Sequence, residues 1–153
     1  MRIAIAGDSV GVPLVEVLAP HIAKRAKTVV TDLSGPPEGS TEYYANVADR
    51  LASAILRGEY DRGVLCCGTG IGMCISANKV PGIRAVMAID TFTVKSSREH
   101  NNANVLCLGG QYHGPGLARH LVEAWLATPY AGGRHEQRVA KIHDIEKRYL
   151  KES

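Results

Sequence analysis

The sequence predicts an α/β domain in which a parallel β-sheet is covered by helices on both faces. Three observations predict it. Short apolar runs alternate along the chain with longer amphipathic runs. Glycine or proline punctuates most of the junctions. Strands that alternate with helices are parallel by construction, because each helix carries the chain back to the starting end of the sheet.

The elements follow in order. Ile3 to Ala6 reads as a buried strand, and Val12 to Lys24 as a helix with Leu14, Val17, Leu18 and Ile22 on one face. Thr28 to Leu33 is a second strand. Ser34 to Ser40 holds Gly35, Pro36, Pro37 and Gly39 and reads as a loop. Tyr44 to Leu56 is a helix with Val47, Leu51, Ala54 and Ile55 inward. Gly63 to Cys67 is a third strand that runs directly into glycines, followed by a short helix from Ile71 to Asn78. Ile83 to Ile89, then Thr91 to His100, give a fourth strand and its helix. Val105 to Leu108 is a fifth strand, ended by Gly109 and Gly110. Leu117 to Leu126 and Glu136 to about Leu150 are helices separated by Gly132 and Gly133. The five strands should all be parallel, with right-handed crossovers. The pattern leaves their order open.

Length and composition narrow the functional classes. With 153 residues and no internal repeat, the chain is expected to form one domain over residues 1–153. Hydrophobic residues make up 45%, enough for a packed core. The net charge of +3 suits an anionic small molecule but lacks the dense basic stripe of a nucleic-acid binder. Aromatic residues at 5% argue against base stacking. No run approaches the ~20 apolar residues of a membrane span. Cys66, Cys67, Cys74 and Cys107 form no C-x-x-C pair. Reduced thiols in a cytoplasmic protein, with neither metal nor disulfide framework, are the expectation.

Ligands of open parallel sheets bind beyond the carboxyl ends of the strands. Those ends deliver Gly7-Asp8-Ser9, Cys67-Gly68-Thr69-Gly70, Asp90-Thr91 and Gly109-Gly110-Gln111. The run Gly68-Thr69-Gly70-Ile71-Gly72 bends tightly, and its amides and the following helix start favour an anion, a phosphate or a developing enediolate. Its spacing is neither a dinucleotide fingerprint nor a Walker loop. Cys67 stands at the last strand position beside those amides, where a thiolate is favoured and a carbon-bound proton could be taken. Cys66 points to the other face by strand alternation and belongs to the core, with Cys74 and Cys107. Read on residues alone, the glycines are equally a structural turn, Asp8 a turn cap, His100 a surface residue, and Arg134 with Arg138 a solvated helix face.

Longer blocks carry a resemblance. Cys67 to Gly72, Ser76-Ala77-Asn78-Lys79-Val80-Pro81-Gly82-Ile83-Arg84-Ala85, His100-Asn101-Asn102-Ala103-Asn104-Val105-Leu106 and Gly132-Gly133-Arg134-His135-Glu136-Gln137-Arg138-Val139 strongly resemble the type B ribose-5-phosphate isomerases and their galactose- and allose-6-phosphate relatives. The resemblance implies a Rossmann-like three-layer α/β/α sandwich with a five-stranded parallel sheet. It implies no metal and no organic cofactor. It also implies a homodimer or homotetramer whose active sites lie at the subunit interface.

Carried over by position, Cys67 moves the proton between C1 and C2 of a sugar phosphate. Thr69 and the amides of Gly68, Gly70, Ile71 and Gly72 steady the enediolate. His100 opens the furanose ring, Asp8, Tyr44 and Asn101 hold the sugar, and Arg134 with Arg138 clamps the phosphate. Two arginines four apart share a helix face and match phosphate oxygens, which supports the clamp independently. A non-catalytic sugar-phosphate sensor would keep that clamp and have no use for Cys67 with His100.

The resemblance breaks at three points. Ser9 and Gln111 stand where phosphate-contacting histidine and arginine are usual, and Tyr43-Tyr44-Ala45 replaces Asp-Tyr-Pro. Either Ser9 or His113 substitutes at the phosphate, or the substrate differs in length, as for a tetrulose 4-phosphate. Retention of His100 and Arg134 favours a sugar that cyclises, with ribose 5-phosphate first and allose or galactose 6-phosphate as alternatives.

Overall fold

The computed structural model describes residues 1–35 and 42–150. The elements are β1 (Arg2–Gly7), α1 (Val12–Ala23), β2 (Val29–Asp32), α2 (Tyr44–Leu56), β3 (Arg62–Cys67), α3 (Ile71–Ala77), β4 (Ala85–Met87), α4 (Thr91–Asn101), β5 (Val105–Gly109), α5 (Pro115–Ala127) and α6 (Arg134–Tyr149). The five strands form one parallel sheet in the order β2-β1-β3-β5-β4. Most of the loop expected from Ser34 to Ser40 lies outside the described residues.

Alternation along β3 divides the core. Val64 and Cys66 face one way, into a cluster with Leu14, Leu18 and Ile22 of α1 and Leu121, Val122 and Trp125 of α5. Leu65 and Cys67 face the other, into a cluster with Val47 and Leu51 of α2 and Met73 and Ala77 of α3. Successive side chains of a strand point to opposite faces, so neighbouring cysteines end in different layers.

Two expected boundaries move, and one expected helix face turns. The fourth strand is three residues long, not the seven of Ile83 to Ile89, because β4 is an edge paired only to β5 and enters from a turn at Gly82 with φ +80°. The terminal helix starts at Arg134, two residues early, because Gly133 at φ +54° sets its entry. Val15 of α1 is buried and Val17 only half-buried, because the helix face rotates toward β1.

Buried arginines hold the far end of the sheet. Arg98 is 4% exposed, and its guanidinium donates to the carbonyls of Ala103 and Thr128 and to Asn102 Oδ1 at 3.0 Å. Burial, then the charges of Arg62 and Arg84, lowers its pKa to about 10. Arg62 and Arg98 lie on Trp125 at 5.5 and 5.9 Å from the ring centroid. Two cations therefore share one aromatic surface, with no ion pair among the described residues, supported by carbonyl oxygens.

Two glycines test how tightly the loops seat. A Cβ on Gly11 would lie 1.8 Å from the Cys66 carbonyl oxygen, whereas one on Gly116 would meet nothing within 4 Å. Gly11→Ala should lower stability by about 3 kcal/mol, at the upper end of overpacking costs. Gly116→Ala, inside α5, should raise it by about 0.5 kcal/mol or more. Urea unfolding midpoints of the two variants check both signs.

Candidate active site

Cys67 ends β3, at 5% exposure. The chain then turns through Gly70, held at φ +85°, so that the Gly70 amide donates to Cys67 Sγ at 3.1 Å. A side chain at Gly70 would be strained by that φ and would press on Leu108 and Met87. The amides of Gly72 and Met73 lie in the first turn of α3, where a helix offers no carbonyl partner. Thr69 Oγ1 accepts from the Ile71 amide at 3.3 Å, which fixes the hydroxyl at the pocket edge.

The loops after β1 and β3 meet, because the chain leaves β1 toward β2 and returns over it to β3. This is the switch point of a doubly wound sheet. Asp8 N donates to Cys66 O at 3.2 Å across that junction. Asp8 Oδ1 accepts from the amides of Val10 and Gly11 at 3.1 and 2.9 Å. One carboxylate oxygen thus caps the turn, as the plain reading expects, and Oδ2 has no partner among the described residues.

Asp8, Tyr44, Cys67, Gly68, Thr69, Ile71 and Gly72 line one cavity of about 380 Å³. That lies in the ordinary range for small-molecule sites, about 300–1,000 Å³. The Tyr44 ring packs on Gly72, where a Cβ would come within 2.7 Å of it.

The substitutes proposed for the phosphate end fare differently. Ser9 is exposed and is absent from the cavity lining. His113 is 2% exposed, accepts from Gly109 N at Nδ1 (2.9 Å) and sets Nε2 3.1 Å from Ala88 O. Both nitrogens serve the fold, so His113 is corrected from candidate ligand to a tie between the ends of β4 and β5. Gln111 Oε1 reaches to 3.2 Å from where a Gly68 Cβ would stand, over the lip of the cavity.

His100, Asn101, Arg134 and Arg138 do not join this cavity. Helix α4 starts at the carboxyl end of the sheet and runs back along it. At 1.5 Å per residue this carries His100 about 14 Å from Thr91. The next turn brings Asn104 O to the Gly63 amide at 2.9 Å, beside the start of β3. Cys67 stands about 13 Å away along that strand, at its opposite end.

His100 and Asn101 are exposed there, and Arg134 and Arg138 project from α6 into solvent. Neither arginine enters an ion pair among the described residues. Arg84 secures this second cluster, donating from Nε to the carbonyls of Asn101 and Asn102, both at 3.0 Å. The His100 ring lies flat on His135, centroids 4.4 Å apart and planes 12° apart. Sequence reasoning missed Arg84, Arg98 and His135 as parts of this cluster. The first and third sat inside the family-like blocks, but only the fold shows which groups they hold.

The four thiols separate by environment. Burial, then the charge of Cys67, pushes the Cys66 thiol well above its ordinary range, and burial does the same at Cys107. Cys74 is half-buried, and its hydrogen bond with Cys107 lowers its pKa to about 7. Among the described residues, no group of three or more His, Cys, Asp or Glu side chains is placed to hold a metal ion. No helix is long and apolar enough to cross a membrane, again among the described residues.

Residues 3–142 match a family model described as Ribose/Galactose Isomerase. The chain is 45% identical to a putative sugar phosphate isomerase, YwlF, of Bacillus subtilis, over 98% of this chain and all of that one. It is 44% identical to a D-erythrulose-4-phosphate isomerase of Pectobacterium atrosepticum, over 93% of each. Its fold superposes with a TM-score of 0.91 on ribose-5-phosphate isomerase B of Clostridium thermocellum, at 42% identity, covering 97% of this chain and 99% of that one.

The thiol environments are separable by brief alkylation of the native protein followed by mass mapping. Labelling of Cys74 should rise as pH passes through about 7, because the thiolate is the nucleophile and forms above that value. Cys66 and Cys107 should stay unlabelled across the same range until the protein unfolds.

Proposed function

Because the chain belongs to the ribose/galactose isomerase family and is a sugar-phosphate isomerase, we propose that it interconverts ribose 5-phosphate and ribulose 5-phosphate. The observation that carries this reading is the placement of Cys67. Its sulfur lies at the floor of a sugar-sized cavity, beside amides that can accept developing negative charge.

As a thiolate, Cys67 takes the C2 proton of the open-chain aldose and returns it to C1, leaving an enediolate in between. The electron pair of the broken C–H bond forms the C1–C2 double bond as the carbonyl π pair moves onto O1. A proton then passes from O2 to O1, and O2 becomes the new carbonyl as C1 takes the proton back from the thiol. The free amides of α3 and the Thr69 hydroxyl meet O1, each well-placed donor being worth roughly 3 kcal/mol. Asp8 and Tyr44 hold the sugar hydroxyls from the walls. His100 moves the proton from the anomeric hydroxyl to the ring oxygen, which opens the furanose. Arg134 and Arg138 take the phosphate, with Asn101 beside them.

These two sets of residues stand at opposite ends of one sheet, so one small substrate cannot touch both in the same chain. A second copy on a two-fold axis would lay its His100, Asn101, Arg134 and Arg138 over the first copy's Cys67, and the reverse. Exposed apolar side chains on both parts support such a contact: Ile71 at the cavity with Ile75 on α3 and Phe92 at the start of α4, and Ile142, Ile145 and Tyr149 along α6.

A four-carbon ketose phosphate is the second reading. Ser9 and Gln111 favour it, as does the 44% identity to the erythrulose-4-phosphate enzyme. His100 argues for the cyclising sugar, since a tetrose 4-phosphate has no free hydroxyl with which to close a furanose.

Incubation in deuterated water with four- to six-carbon sugar phosphates decides between the sugars. Turnover and exchange at C2 should be greatest with ribose 5-phosphate, and binding with neither would overturn the isomerase mechanism. Cys67→Ala should lower kcat by about 10³-fold with little change in binding. Mixing Cys67→Ala and Arg134→Ala subunits, each inactive alone, should restore about a quarter of the wild-type rate, since half the dimers then hold one intact site of two. No recovery on mixing would place both sets of residues in one subunit.

A further inference from the structure

His135 is 5% exposed in the first turn of α6, and its Nδ1 is buried without a hydrogen-bond partner among the described residues. A bare Nδ1 leaves an unused lone pair. A protonated one would bury an unpaired N–H that carries positive charge, which costs far more. Burial, then the charges of His100, Arg134 and Arg138, lowers its pKa, against the pull of Glu99. The ring therefore stays neutral to a lower pH than an ordinary imidazole. Its other notable contact is the stack with His100, near-parallel at 4.4 Å. His100 itself is exposed at the last turn of α4, with no side-chain hydrogen bond among the described residues to fix its plane.

We propose that His135 is a positioning residue, a fixed flat ring whose face sets the plane in which His100 passes a proton to the sugar's ring oxygen. The inference rests on the assignment of ring opening to His100. Placement is what a general acid–base group needs, because proton transfer requires its nitrogen within hydrogen-bond reach of one oxygen in one direction. A neutral neighbour also allows His100 to carry charge in passing, which a cationic one would oppose.

Ribulose 5-phosphate separates the steps. Its 5-hydroxyl is esterified, so it forms no furanose, and loss of its C1 proton needs Cys67 without ring opening. His135→Leu should lower kcat for ribose 5-phosphate about tenfold while exchange of the ribulose 5-phosphate C1 proton in deuterated water stays within about twofold of wild type. His135→Phe, which keeps a flat ring, should recover most of the loss and leave the pH dependence of kcat as in wild type. Equal losses in both assays, no loss in the leucine variant, or no recovery with phenylalanine would each overturn the proposal. Failure of wild-type protein to exchange or turn over either sugar would instead overturn the isomerase reading. The stack is then tested by NMR alone: the His100 ring protons should shift in His135→Leu and stay near their wild-type positions in His135→Phe. Unchanged His100 signals in the leucine variant would refute the platform.

Discussion

Parallel pairing imposes a polarity from which the rest of this molecule follows. Each strand must be re-entered from the same end, so every helix runs back against the strands it covers. Residues at strand ends gather at one edge of the sheet, and residues at helix ends gather at the other. Cys67, Thr69 and Asp8 belong to the first group, His100 and Asn101 to the second. The proposed thiol base and the proposed anion clamp thereby stand at opposite rims of one sheet.

The two rims are stabilised by different means. At the carboxyl rim the backbone does most of the holding: the Gly70 amide meets the Cys67 sulfur, Asp8 N meets Cys66 O, and Gly109 lies against Thr69 with no room for a side chain. At the amino rim, guanidinium groups tie loose chain ends together, Arg84 at Asn101 and Asn102, Arg98 at Asn102, Ala103 and Thr128. Arginine suits that task because its fork reaches several carbonyls at once and stays charged while buried.

Much of this was legible in the residues. Apolar runs placed all five strands, and period-two alternation assigned Cys66 and Cys67 to opposite layers. Boundaries failed where tertiary context overrode local pattern. Ile83, Ile89 and their neighbours look like a long strand, but an edge position offers pairing on one side only, and three residues take it. The carboxyl-end rule found Asp8, Cys67 and Thr69 because those side chains follow strands directly. It could not find the His100 cluster, whose members lie at a helix end and on α6. Burial explains the error at His113. Nothing in its local sequence shows that both nitrogens would be taken by Gly109 and Ala88. His135 escaped for a related reason, since stacking depends on an approach between α4 and α6 that no spacing encodes.

The floor beneath the cavity is main chain, and its walls are side chains. Gly11 under Cys66 and Gly109 under Thr69 leave no slack for the floor to shift, while Tyr44 lines the cavity above it and Gln111 reaches over Gly68. With Cys67 as the proposed base, reactivity and selectivity would be lodged in separable parts. On that reading a change of wall residue would alter which sugar fits without disturbing the sulfur. Such a scaffold can diversify its diet one side chain at a time while its proton chemistry is inherited whole.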